Sequence, residues 1–275
     1  MKRRYLLILI LVSVVQSVFA KDVINFTPLP LKKGIQNIEE FLPMNGYLQE
    51  RLNIDIKYVY KQDYADIIKG FKDGSIDIAY LGPLPYIYLK KHYKYTMPMV
   101  TFNQSNGESS YKCVLSKFKE DKVDRSKTIK IALTQPLSTC GYYMTSILLQ
   151  EHFGIDISQQ MYKYTMSHSN ALIQTLEGRF LIAGAKDTIA KPYESLGMEI
   201  IATSRSLPGF SLVVNTKTLS TKQIDEIRNV LLSIPKDIYK SWGGVTSRGM
   251  VESSYKEYEK LKIDFDAIPL RGNMR

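Results

Sequence analysis

The feature that most constrains this chain is its alternation of short apolar runs with segments that carry one apolar helical face. This alternation runs along almost its whole length. Such a pattern predicts an α/β fold, with parallel sheets covered by helices on both faces. The periodicity places strands at residues 23–27, 54–60, 76–81, 97–102, 111–116, 127–132, 161–166, 180–185, 200–204 and 210–215. Helices are expected at 35–52, 64–72, 86–92, 142–153, 169–177 and 222–234, with more helix from 237 onward. Ile35, Ile38, Leu42 and Leu48 share a face despite Pro43 and Gly46 between them. Asp63 and Ser220 stand where N-caps belong, and Gly82-Pro83-Leu84-Pro85 breaks a strand.

The pattern restarts near residue 113, and no linker rich in Gly, Ser or Pro precedes the restart. Two lobes joined by crossing strands are therefore expected rather than two beads on a string. The expected division is 21–112 plus 205–275 for the first lobe and 113–204 for the second. The hinge is expected near 111–114 and 211–215.

The first twenty residues read as an export signal. Lys2, Arg3 and Arg4 open it, an apolar run of less than membrane-spanning length follows, and Val18-Phe19-Ala20 offers small residues at minus three and minus one. Cleavage is expected after Ala20, with no Cys next to it to carry a lipid. Removal leaves 255 residues outside the cytoplasm and lowers the formal charge from +10 to +7. The remaining basic residues are spread along the chain, which excludes a nucleic-acid stripe and leaves at most a mild steering of anions. Cys113 and Cys140 match no metal or redox spacing, and in an oxidising compartment a bridge between them is left open.

The most informative local sequence is Pro136-Leu137-Ser138-Thr139-Cys140-Gly141, between an apolar strand and a helix. Hydroxyls at a first helical turn, with its free N–H groups and positive dipole end, suit a tetrahedral oxyanion, although an ordinary Ser/Thr cap reads the same way. Three further motifs occur in order around it: Asp63-Tyr64, Asp77-Ile78-Ala79-Tyr80-Leu81-Gly82-Pro83-Leu84, and His168 opening a helix. Together the four resemble the phosphonate and phosphite receptors of ABC importers, a group of type II periplasmic binding proteins, over nearly the whole mature chain. The resemblance implies a periplasmic solute-binding protein whose cleft closes on a small phosphorus oxyanion. It implies that Ser138, Thr139 and the amides near Cys140 and Gly141 hold the anionic head, that His168 donates to it, and that Tyr64 and Tyr111 line the other wall. A monomer is expected, with an ABC permease as partner, no nucleic acid, no cofactor and no metal.

Two departures bear on the ligand. Relatives that take an aminoalkyl phosphonate carry acidic residues for its ammonium, whereas this chain has Phe210 at the later position, leaving Asp187 as the candidate acidic wall beside Lys186. The third loop hydroxyl is replaced by Cys140, a weaker donor. A ligand without an amine is therefore expected. A sensor input for a membrane kinase or chemoreceptor is the competing binding role. Catalysis is not expected: the sequence has three His, no nucleophile elbow, no metal cluster and no Gly-rich nucleotide loop.

Overall fold

In the computed structural model, which describes residues 23–29, 36–61 and 64–274, the apolar runs of the sequence become the strands of two sheets. The expected export signal and the expected cap Asp63 lie outside the described residues. The strands are β1 (Val23–Thr27), β2 (Asp55–Tyr58), β3 (Ile78–Leu81), β4 (Thr96–Phe102), β5 (Ser110–Tyr111), β6 (Cys113–Phe118) and β7 (Lys130–Leu133). They continue as β8 (Met161–Tyr164), β9 (Ile182–Lys186), β10 (Met198–Thr203), β11 (Leu207–Pro208), β12 (Ser211–Asn215) and β13 (Met250–Glu252). The helices are α1 (Gln36–Glu39), α2 (Leu42–Leu52), α3 (Tyr64–Asp73), α4 (Pro83–His92), α5 (Tyr142–Phe153), α6 (His168–Leu176), α7 (Asp187–Ala190), α8 (Thr221–Leu232), α9 (Lys236–Lys240) and α10 (Tyr255–Glu259).

One sheet has six strands in the order β13-β4-β12-β3-β1-β2, the other five in the order β10-β6-β9-β7-β8. Each is mixed rather than purely parallel. Crossover helices make β1, β2 and β3 parallel, and likewise β7, β8 and β9. The strands that enter or return from the crossing run antiparallel to them: β12 against β3 and β4, and β6 against β9 and β10. Between the sheets β5 and β11 pair antiparallel, Tyr111 opposite Leu207, so the two crossing segments support each other. The expected strand at 111–116 is thus two strands, one in the crossing and one in the second sheet. The second crossing runs through Leu207–Pro208, while 211–215 lies inside the first sheet.

Local chemistry explains where the elements end. The expected helix at 35–52 breaks before Leu42, because Pro43 lacks an N–H and suits the first turn of a new helix. Pro83 likewise starts α4 three residues earlier than the periodicity suggested. Ser220 accepts from Gln223 N while the Gln223 side chain reaches back to the Ser220 N–H, a complete capping box for α8. Gly184 lets α5 lie directly on β9, since a Cβ there would stand 1.9 Å from Thr145 Oγ1.

The core of the first lobe is aromatic: Phe41 contacts Phe26, Tyr80 and Phe102, and Tyr80 stacks on Phe210 at 5.3 Å. The chain's end leaves that lobe. Phe265 packs on Tyr88, whereas Asn273 Oδ1 accepts from Tyr162 N at 2.7 Å, beside the outer strand of the second sheet. No helix among the described residues is long and apolar enough to cross a membrane.

Candidate functional site

The ends of β3, β5 and β9 and the starts of α3, α4, α5 and α6 meet around one cavity between the two sheets. It is a narrow cleft, whose roughly 290 Å³ of non-atom space includes its solvent-open mouth. The first lobe contributes Leu29, Tyr64, Gly82, Pro85 and Phe210. The second contributes Ser138, Thr139, Cys140, His168 and Lys186, and Tyr111 comes from the crossing.

The strand β9 and its small residues seat α5 so that its first turn faces this cavity. Ser138 N donates to Gln135 O and Gly141 N to Ser138 O, which folds 135–141 into a tight turn. Gly141 is required there, because a Cβ would lie 2.5 Å from Gln135 O. Its own N–H is therefore not available to a ligand. The N–H groups of Thr139, Cys140, Tyr142 and Tyr143 donate to no partner among the described residues, and Ser138 Oγ has none there either. Of these, Thr139, Cys140 and the Ser138 hydroxyl border the cavity at a helix N-terminus, the arrangement that binds oxyanions.

A disulfide ties Cys140 to Cys113 at the start of β6, with Cα atoms 5.2 Å apart. The residue that replaced a hydroxyl in the loop is a covalent anchor and not a donor. Facing the loop, α4 offers little: Pro83 and Pro85 have no N–H, and Leu84 N donates to Thr139 Oγ1 at 3.1 Å across the cleft. Burial raises the Tyr111 and Tyr64 phenols well above the ordinary tyrosine range, with the nearby Thr139 hydroxyl opposing the rise at Tyr111. Both remain neutral donors.

His168 opens α6, and its Nδ1 accepts from Lys186 N at 3.0 Å. That bond places the ring proton on Nε2. Burial, helped by the Lys186 charge, lowers the His168 pKa to about 3, so the ring meets a ligand as a neutral N–H donor.

Asp187 begins α7 one residue beyond the cavity and does not line it. Its N–H donates to Lys112 O, and Oδ1 is buried without a hydrogen bond. Its neighbour Lys186 lines the cavity instead. The Lys186 ammonium sits 5.0 Å from the Tyr111 ring centroid and 5.2 Å from that of Phe210, and donates to Gln104 Oε1. Of the two adjacent charged residues the sequence offered for this wall, Asp187 and Lys186, it is Lys186 that lines the cavity. The run Ala183-Gly184-Ala185 ends a buried strand at Lys186, which turns that side chain into the cleft. Phe210 is held by its turn, where Tyr258 Oη donates to Gly209 O at 3.1 Å and hydrogen-bonds Ser211. Among the described residues no cluster of three or more His, Cys, Asp or Glu is placed to hold a metal.

Residues 26–258 match the family of ABC transporter, phosphonate, periplasmic substrate-binding proteins. The chain belongs to this family. A phosphate-import protein, PhnD, of Mycolicibacterium smegmatis is 23% identical over 136 residues, which are 47% of this chain and 42% of that protein. The match thus spans less than half the length of that relative.

Two solved structures share the fold. PhnD1 of Prochlorococcus marinus, in complex with methylphosphonate, superposes with a TM-score of 0.72 at 14% identity, covering 87% of this chain and 96% of that one. A binding-protein component of an ABC phosphonate transporter from Pseudomonas aeruginosa gives 0.67 at 19%, covering 85% and 82%. The architecture is that of the type II periplasmic binding proteins, and the family is a substrate-binding transporter component.

Proposed function

We propose that this chain captures a small phosphorus oxyanion, such as phosphite, methylphosphonate or phosphate, in the cleft and delivers it to a membrane ABC permease. The observation that carries the reading is the first turn of α5: unpartnered N–H groups, Ser138 Oγ and the Nε2–H of His168 all border one small cavity. These groups donate, and among the described residues no carboxylate lines the cavity to repel a fully ionised head. The family match over residues 26–258 supports delivery to an importer rather than to a sensor. Export to the periplasm with cleavage after Ala20 belongs to the same reading. N-terminal sequencing of the secreted protein tests it, with Lys21 expected first and a retained Met1 counting against it.

Ser138→Ala combined with Thr139→Ala tests the site. Hydrogen bonds to a charged group contribute roughly 1.5–3 kcal/mol each and add imperfectly, so affinity for methylphosphonate should weaken by roughly 2–4 kcal/mol in calorimetric titration. Because Thr139 Oγ1 accepts from the buried Leu84 N, the double variant should melt somewhat lower, while Ser138→Ala alone should leave the melting temperature nearly unchanged and still weaken binding. Normal binding by the double variant would show that the loop is a helix cap and nothing more.

A further inference from the structure

Lys186 is the one charged side chain that lines the cavity among the described residues. It has no carboxylate within ion-pair distance there, and its hydrogen-bond partner is the uncharged Gln104. Gln104 itself is buried, so the ammonium has exchanged much of its water for one amide oxygen and two ring faces. A cation held that way is short of negative charge, and two of its three N–H donors remain for a ligand. Burial and the more distant Arg248 lower its pKa, with Asp187 opposing, which agrees with an ammonium lacking a contact counterion. The ring faces of Tyr111 and Phe210 are also where a ligand ammonium would find cation–π contacts, and the protein's own ammonium already covers them.

We propose that Lys186 sets the charge of the ligand, selecting a tetrahedral oxyanion of net charge minus two over a monoanion of the same shape and over a zwitterion that carries an ammonium. The inference rests on the oxyanion reading above and adds a charge filter to it. The helix terminus and His168 recognise any tetrahedral oxyanion, because they supply dipoles. A full positive charge a few ångströms away distinguishes one unit of ligand charge from two.

Methylphosphonate and methanesulfonate have nearly the same shape but differ in charge slightly above neutral pH, and aminoethylphosphonate adds an ammonium. All three are titrated calorimetrically against wild type, Lys186→Met and Lys186→Arg. Wild type should prefer methylphosphonate to both others. Lys186→Met, which keeps the stem and drops the charge, should weaken methylphosphonate at least about tenfold and narrow its preference over methanesulfonate by about tenfold, and Lys186→Arg should restore much of that preference. Circular dichroism confirms that each variant is folded, and Lys186→Gln replaces Lys186→Met if it is not. Unchanged preferences in the uncharged variant overturn the charge filter and leave the oxyanion reading standing. Failure of wild type to bind any of the three overturns the charge filter, and failure to bind phosphite and phosphate as well overturns the oxyanion reading.

Discussion

Burial keeps His168 neutral down to about pH 3, so it offers an anion a hydrogen bond rather than a charge. The same burial has a cost in acid. The folded pKa lies below the unfolded value of about 6.5, so the unfolded chain takes up the proton first, and the stability this neutral ring preserves is lost as pH falls from about 6.5 toward 3. At pH 5 the loss should be roughly 2 kcal/mol. Denaturant melts at pH 7 and pH 5 should show His168→Gln losing less stability than wild type over that interval; equal losses would mean the imidazole is not buried as described. Lys186 gives the opposite pair of effects in base. Its folded pKa of about 8 lies below the unfolded value of about 10.4, so unliganded stability should gain from this group between pH 8 and pH 9.5 while affinity for the dianion falls. The groups that face it are Arg248, Asp187 and the neutral His168 and Tyr111. Lys186→Met should remove both trends, and a variant that kept them would assign the titration elsewhere.

Among the elements, the disulfide and the loop it anchors matter most for binding. Cys113 and Cys140 are 27 residues apart, and a loop of that size stabilises by about 3–4 kcal/mol in the chain-entropy account. Replacing both with Ala should lower the melting temperature by calorimetry and also weaken methylphosphonate, because α5's first turn loses its tie to β6. Unaltered affinity in the folded variant would show that Gly141 and the turn hydrogen bonds suffice alone. Periodicity made most elements legible, with α5 at 142–153 matching residue for residue. What it missed follows from physics that period does not carry. Met250–Glu252 is too short to alternate, and it forms a strand because β4 offers an open edge. The cavity residues Tyr64, Ser138, Thr139, Cys140 and His168 stood in motifs or helix starts, and Tyr111 followed from the family resemblance alone. Lys186 instead depended on which way the last residue of a buried strand points, and this is fixed by register with β6, where it pairs with Cys113.

At the scale of the molecule, the bond from Leu84 N to Thr139 and the one from Lys186 to Gln104 join the two walls of the cleft, while β5 and β11 form the crossing behind it. Two-lobed receptors of this architecture open and close about such crossings. Saturating methylphosphonate should therefore shrink the radius of gyration in small-angle scattering, and an unchanged profile would argue against hinge closure. The C-terminal residues bear on the amplitude. Tyr143 Oη donates to Lys262 O, and Asn273 Nδ2 to Gln160 O at 2.7 Å, so the tail spans from the first lobe to the second and must follow or limit any opening. The most direct test of the central claim is calorimetric titration of the purified, ligand-free protein with phosphite, methylphosphonate, phosphate and sulfate. Saturable one-to-one binding of at least one phosphorus oxyanion, weakened by Ser138→Ala with Thr139→Ala, is the predicted result. Binding of none of them, or binding that the double variant leaves intact, would contradict the account.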